Sequence, residues 1–201
     1  MNNYSPEILV IGTGAIGALY AAKLSQSGAR VSVVCRSDYD KVKKDGFDVK
    51  SCWGDLNFKP QDVFSDVGQY KDKYKKSPDF ILVATKVLPE ISVSDIISPI
   101  IGENTSIIMI QNGIFIEDVV RSDLGSVIHA GEGKLTFGSY RNDNSAKIKQ
   151  LIDLLEKINV PCVLVKDIQM ERWKKLLWNA SFNPISVVAG GLNTKEILDN
   201  Q

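Results

Sequence analysis

The sequence carries no excess charge with which to attract a polyanion: 24 Lys and Arg face 24 Asp and Glu across 201 residues. There is thus no electrostatic case for nucleic acid or an anionic membrane as a partner, and neither is expected. The run Lys71, Lys73, Lys75 and Lys76 is interrupted by Asp72, Tyr74 and Asp79, and reads as a solvated face. Cysteine is scarce. Cys35, Cys52 and Cys162 are odd in number, far apart and without a CxxC pair, which argues against a disulfide framework and against a zinc site. The single histidine, His129, lies in a strand-like stretch with nothing nearby to form a triad or bind a metal. No apolar run is long enough to span a membrane. The polar opening MNNYSPE leads directly into a strand pattern, so the expectation is a cytoplasmic protein with no signal peptide.

What the sequence does have is an ordinary globular composition, 44% hydrophobic and 24% charged, and one stretch that organises it. Ile8 to Ile11 is a short apolar run of buried-strand type. Gly12-Thr13-Gly14-Ala15-Ile16-Gly17 follows at once, and apolar residues then recur at helical spacing until Gly28. Strand, glycine turn and helix in this order form the context that a GxGxxG dinucleotide fingerprint requires. Gly12 permits the sharp turn, Gly14 lets a diphosphate approach the backbone, and Gly17 lets the helix sit close to the strand. The helix N-terminus offers free N–H groups and a partial positive charge to the phosphates. A plain glycine-rich turn is the bland alternative.

The chain in order predicts an α/β fold. Arg30 to Cys35 is a second strand, and Arg36 follows it. An acidic residue there suits the ribose 2′-hydroxyl of NAD, whereas an arginine suits a 2′-phosphate. Arg36 thus favours NADP, with Asp38 as the nearby acidic alternative. Asp38 to Lys44 reads as a short helix, and Phe47 to Phe58 as two strands turning near Gly54. Lys59 to Ser77 is polar and irregular, with room for one short helix. Asp79 to Thr85 is a buried strand closed by Lys86. Ligands collect at the carboxyl ends of such strands, so Lys86 is a site candidate as well as an ordinary surface lysine. Pro89 to Ile101 reads as a helix that Pro99 should disturb. Thr105 to Gln111 is a strand ending at Asn112-Gly113, where the nicotinamide end of a cofactor would lie. Phe115 to Leu124 is expected to be a helix. Val127 to Ala130 and Lys134 to Ser139 read as a pair of short strands. Asn144 to Ile158 is a strongly amphipathic helix, and Pro161 to Val165 a last short strand.

From Asp167 to Ala189 the pattern becomes one long helix, and a domain boundary is expected near Lys166. Lys175, Asn179 and Asn183 are spaced by four and share one helix face. A solvent-facing stripe is the simplest account of that spacing. Against it, asparagine is a poor helix former, and Pro184 interrupts the backbone ladder beside Asn183.

With these motifs assembled, the sequence resembles the 2-dehydropantoate 2-reductases, also called ketopantoate reductases. The resemblance rests on GTGAIG at Gly12 to Gly17, Arg36, ATK at Ala84 to Lys86, QNG at Gln111 to Gly113, and KLLWNASFNP at Lys175 to Pro184. It implies a Rossmann-type, mostly parallel sheet with helices on both faces over residues 1–166. The start of an all-α substrate and dimerisation domain over 167–201 is implied as well. It implies reduction of 2-dehydropantoate, a small 2-keto acid, to pantoate by NADPH in pantothenate biosynthesis. Lys175 would be the general acid. Gly12, Thr13, Gly14, Ala15, Ile16, Gly17, Arg36, Lys86 and Asn112 would bind the cofactor, and Asn112, Asn179 and Asn183 the substrate. No metal is implied.

Two departures from the family pattern shape the expectations. The helix after QNG joins the Val127 strand almost directly, so a strand and its loop are expected to be missing. The helical C-terminal domain shows only its beginning, ending with an Asn193–Glu196 capping box that opens a helix over Thr194 to Asp199. The chain as written is therefore expected to bind NADPH, to catalyse poorly, and to self-associate through the apolar face of its long helix, as in a homodimer. A reductase of another small 2-keto acid and a non-catalytic NADP-binding remnant remain as alternatives.

Overall fold

The computed structural model describes residues 5–86, 92–110, 120–123, 126–129, 134–138 and 145–199. The chain divides into two compact units, one of residues 1–135 and 149–162, the other of 136–148 and 163–201.

The first unit opens with β1 (Glu7–Ile11), α1 (Ala15–Gln26) and β2 (Arg30–Val34). Next come α2 (Tyr39–Asp45), a hairpin of β3 (Phe47–Ser51) and β4 (Leu56–Phe58), then β5 (Val63–Phe64) and α3 (Val67–Tyr74). β6 (Phe80–Val83), α4 (Val93–Ile97), a 3-10 turn over Ser98–Ile100 and β7 (Ser106–Met109) complete a five-stranded sheet of order β5-β2-β1-β6-β7. Every pairing in it is parallel. Strands of such a sheet are covered on both faces and so read as unbroken apolar runs. β6 is buried at all four positions. Alternate side chains divide between the faces. Leu9, Ile11, Ile81 and Val83 form one core with Phe64 and Tyr70, and with Ile97 and Ile100. As the sequence anticipates, Pro99 falls where α4 gives way to the 3-10 turn.

A second sheet has the order β4-β3-β9-β8, where β8 is Val120–Asp123 and β9 is Ser126–His129. α1 packs on β1 and β2 and also on all four strands of this second sheet. A helix between two sheets must be apolar all round, and Gly17 to Leu24 is buried without a break. The one charge in that run, Lys23, is 3% exposed, and its ammonium donates to the Trp53 carbonyl oxygen at 2.8 Å in the β3–β4 connection.

Three local expectations need correction. Val120–Asp123 is a strand, not the end of a helix over Phe115 to Leu124; its register with β9 is antiparallel, Asp123 opposite Ser126. Apolar spacing alone could not reveal this, because the stretch is held by a partner strand rather than by its own periodicity. β9 does not pair with the following strand. It pairs with β8 and, in parallel, with β3, while β10 (Leu135–Phe137) pairs with β11 (Cys162–Leu164). Finally, the polar Lys59 to Ser77 stretch contains β5, a two-residue strand that sequence pattern could not show. Helix α5 (Ser145–Glu156) has Leu151, Ile152, Leu154 and Leu155 buried.

The second unit contains α6 (Ile168–Val188) and α7 (Thr194–Asp199), which pack together. Asp167 caps α6, its carboxylate accepting from the Met170 N–H at 3.0 Å. The capping box of α7 forms as anticipated: Asn193 N–H donates to Glu196 Oε2 at 2.7 Å, and Glu196 N–H to Asn193 Oδ1 at 3.0 Å. No helix among the described residues is long and apolar enough to cross a membrane.

Candidate functional site

The sheet order reverses at β1. The chain runs outward from β1 to β2 and β5, then returns to place β6 on the other side of β1. Ligands of open α/β sheets bind beyond the strand ends at such a switch point. The residues found there are the glycine turn after β1 and Ala84-Thr85-Lys86 after β6. Gly12 has φ of +89°, and a Cβ on it would fall 2.8 Å from the Thr85 backbone nitrogen. Only glycine satisfies both the angle and the approach. Gly17 is buried against the Gly12 carbonyl. Gly14 differs: a Cβ there would meet no described atom within 4 Å. It is the N-cap of α1, and no side chain among the described residues caps it. The first turn of α1 has no acidic residue. The space beside Gly14, free of described atoms, and a helix end that no described side chain caps fit a diphosphate.

Thr13 points the other way, toward the end of β2. Its Oγ1 lies 2.8 Å from the Cys35 Sγ. Arg36 comes next and is exposed, as is Lys86 after β6. The structure thus brings Gly12 to Gly17, Cys35-Arg36 and Ala84 to Lys86 to one end of the parallel sheet. Cys35 and Thr85 escaped the sequence reading. The signal for Cys35 was its place directly before Arg36. Asn112, with Gln111 and Gly113, lies outside the described residues.

In the second unit, Lys175, Asn179 and Asn183 lie on α6, which continues through Pro184 as a single helix. Pro184 has no N–H to give the Ala180 carbonyl. Asn179 is 6% exposed, and its Oδ1 has no hydrogen-bond partner among the described residues. Asn183 is half-buried. Lys175 is exposed as a whole residue, yet its ammonium loses enough hydration to lower its pKa below the ordinary lysine value of 10.5. Around this stripe, Trp173 is 62% exposed and Leu177 68%. The polar stripe is therefore the more buried side at Asn179, the reverse of a solvated face.

Comparisons with known proteins identify the family. The family model "Ketopantoate reductase PanE/ApbA" matches residues 8–149, and the model for the family's C-terminal region matches 167–201. A 2-dehydropantoate 2-reductase of Nostoc is 29% identical, over 89% of this chain and 62% of that protein. One of Aquifex aeolicus is 26% identical, over 96% of this chain and 69% of its own length. The crystal structure of 2-dehydropantoate 2-reductase from Methylococcus capsulatus superposes with a TM-score of 0.82 at 35% identity, over 97% of this chain and 68% of that one. The chain thus spans roughly two thirds of the relatives it matches. Its glycine turn and its α6 stripe both fall within the matched regions, and the chain belongs to the ketopantoate reductase family.

Proposed function

We propose that the protein reduces 2-dehydropantoate to pantoate with NADPH, a step of pantothenate biosynthesis. The observation that carries the reading is Asn179. A buried amide oxygen without a partner costs about 1–3 kcal/mol; the Asn179 Oδ1 has none among the described residues and sits one helical turn from Lys175. Such a cost is understandable if a ligand group completes the bonding.

Residues 1–166 serve as the NADP-binding domain and 167–201 belong to the helical substrate and dimerisation domain. The turn Gly12 to Gly17 holds the diphosphate, Arg36 the 2′-phosphate, and Lys86 and Asn112 the remainder of the cofactor. Bound NADPH supplies the hydride for the keto carbon. Lys175 then gives its proton to the oxygen on which negative charge develops, and its cationic form stabilises that charge beforehand. A lysine of lowered pKa releases this proton more readily. Asn112, Asn179 and Asn183 hold oxo and hydroxyl groups without introducing a competing charge. The enzyme works in the cytoplasm and self-associates through α6, a reading that the exposure of Trp173 and Leu177 supports.

The test is titration with NADPH followed by addition of 2-dehydropantoate, with other small 2-keto acids alongside. Saturable NADPH binding and selective consumption with 2-dehydropantoate support the reading. Binding with preference for a different 2-keto acid rejects the substrate, and failure to bind NADPH rejects the cofactor.

A further inference from the structure

We infer that Cys35 is a positioning residue for cofactor selection: its thiol holds Thr13 so that the Thr13 hydroxyl, next to Arg36, donates to the 2′-phosphate of NADPH. The inference rests on the NADPH reading above; it assigns a role to the Cys35 thiol, which that reading leaves without one, and a specific contact to the Thr13 side chain within the cofactor-binding turn.

The geometry carries it. Thr13 is the second residue of the glycine turn, and its side chain could turn toward either neighbouring strand. It turns to β2, with Oγ1 2.8 Å from Cys35 Sγ. The carboxyl end of the second strand is where a dinucleotide fold reads the ribose 2′ position. Cys35 is fixed from the far side, because its N–H donates to the Phe64 carbonyl at 2.9 Å on β5. It is 1% exposed. Thr13 is only half-buried and open to a ligand. A rigid, buried thiol thus grips the inner side of an accessible hydroxyl.

The direction of the hydrogen bond follows from charge. A hydroxyl has one proton and two acceptor sites. If Thr13 donated to sulfur, its lone pairs would face the incoming anion. If the thiol donates to Oγ1, the Thr13 proton is left to point outward at a phosphate oxygen. Burial pushes the Cys35 thiol up to about 11, so the sulfur keeps its proton at neutral pH and can donate. An anion beside Arg36 selects the second arrangement. NADH has a 2′-hydroxyl in place of the phosphate and gains no charge-assisted hydrogen bond from it.

The experiment is a fluorescence titration of the 201-residue chain with NADPH and with NADH. Unsubstituted protein is compared with Cys35→Ala, Cys35→Ser, Thr13→Val and Thr13→Ser. A hydrogen bond to a charged group corresponds to about a tenfold change in Kd. Thr13→Val, which deletes the donor, should therefore weaken NADPH by about tenfold or more, and Cys35→Ala, which only frees the hydroxyl to turn, by roughly three- to tenfold, each leaving NADH within about twofold. The two serine variants keep a hydroxyl in place and should restore NADPH binding to within about twofold. A packing role for Cys35 would weaken both cofactors alike and overturn the inference. If Cys35→Ala fails to fold, Thr13→Val at the half-buried position decides by itself. An unchanged NADPH-to-NADH ratio in protein that binds NADPH overturns this inference alone. Absence of NADPH binding by the unsubstituted protein overturns the cofactor reading and this inference with it.

Discussion

A Cβ built on Gly17 would stand 2.0 Å from the carbonyl oxygen of Gly12, so α1 meets the end of β1 backbone to backbone. Backbone atoms cannot swing aside as a flexible side chain can. Gly17→Ala should therefore destabilise the first unit by about 1–3 kcal/mol, the usual cost of overpacking. For a chain of this size that corresponds to a fall in Tm of roughly 3–10 °C. Gly14→Ala offers the contrast. Its backbone φ of −62° suits any residue, and the added methyl meets no described atom. Thermal unfolding should leave it within about 2 °C of the unsubstituted protein. NADPH should weaken by about tenfold or more, because the methyl occupies space the diphosphate needs. Equal Tm losses in the two variants would contradict this division of labour.

Arg36→Ala tests the reading of the ribose. Removing a charge-assisted contact to phosphate costs about 1.5–3 kcal/mol. NADPH affinity should fall about tenfold or more while NADH affinity stays nearly the same. Equal losses for both cofactors in the titration would count against Arg36 as the 2′-phosphate ligand.

These two predictions concern a region that was largely legible in the sequence. GTGAIG directly after ILVI, with apolar spacing beyond it, identifies strand, turn and helix because each glycine meets a local geometric demand. The Asn193–Glu196 box was legible for the same reason, since caps act within four residues; Asp167 read only as the start of the long helix, and its capping role comes from the structure. Pairing over distance was not. β5 is two residues long and is fixed by partners far away in sequence, with Val33 N–H donating to Asp62 O and Cys35 N–H to Phe64 O. β8 has no apolar alternation in Val-Arg-Ser-Asp, and only its register with β9 defines it. The burial of Asn179 could not be read either: a spacing of four gives a shared helix face but not which face is covered.

That burial yields a third prediction. Replacing an unsatisfied buried polar group by an apolar group of similar shape can be neutral or stabilising. Asn179→Leu should thus keep or raise the Tm of the protein while binding of 2-dehydropantoate is lost. Thermal unfolding and calorimetric titration measure the two effects separately. A marked loss of stability with intact substrate binding would make Asn179 a structural residue.

As the proposed general acid, Lys175 should set the pH dependence. The proton it donates is present below its pKa and absent above it, so turnover should decline as pH rises through that value. Lost hydration lowers the pKa, and the decline should therefore begin below the ordinary 10.5. A pH–rate profile for kcat with saturating NADPH measures it. A profile that is flat up to 10.5 would separate Lys175 from the proton transfer.

Lys175 on α6 is proposed to protonate the product of an NADPH-dependent reduction. The most direct measurement is pantoate formed per NADPH consumed from 2-dehydropantoate, with Lys175→Ala run beside the unsubstituted protein and NADPH affinity checked in both. One pantoate per NADPH is expected. In the variant, turnover should fall by about two orders of magnitude or more, the usual scale for a general acid, with NADPH affinity unchanged. No pantoate from protein that binds NADPH, or equal turnover by the two proteins, would contradict it.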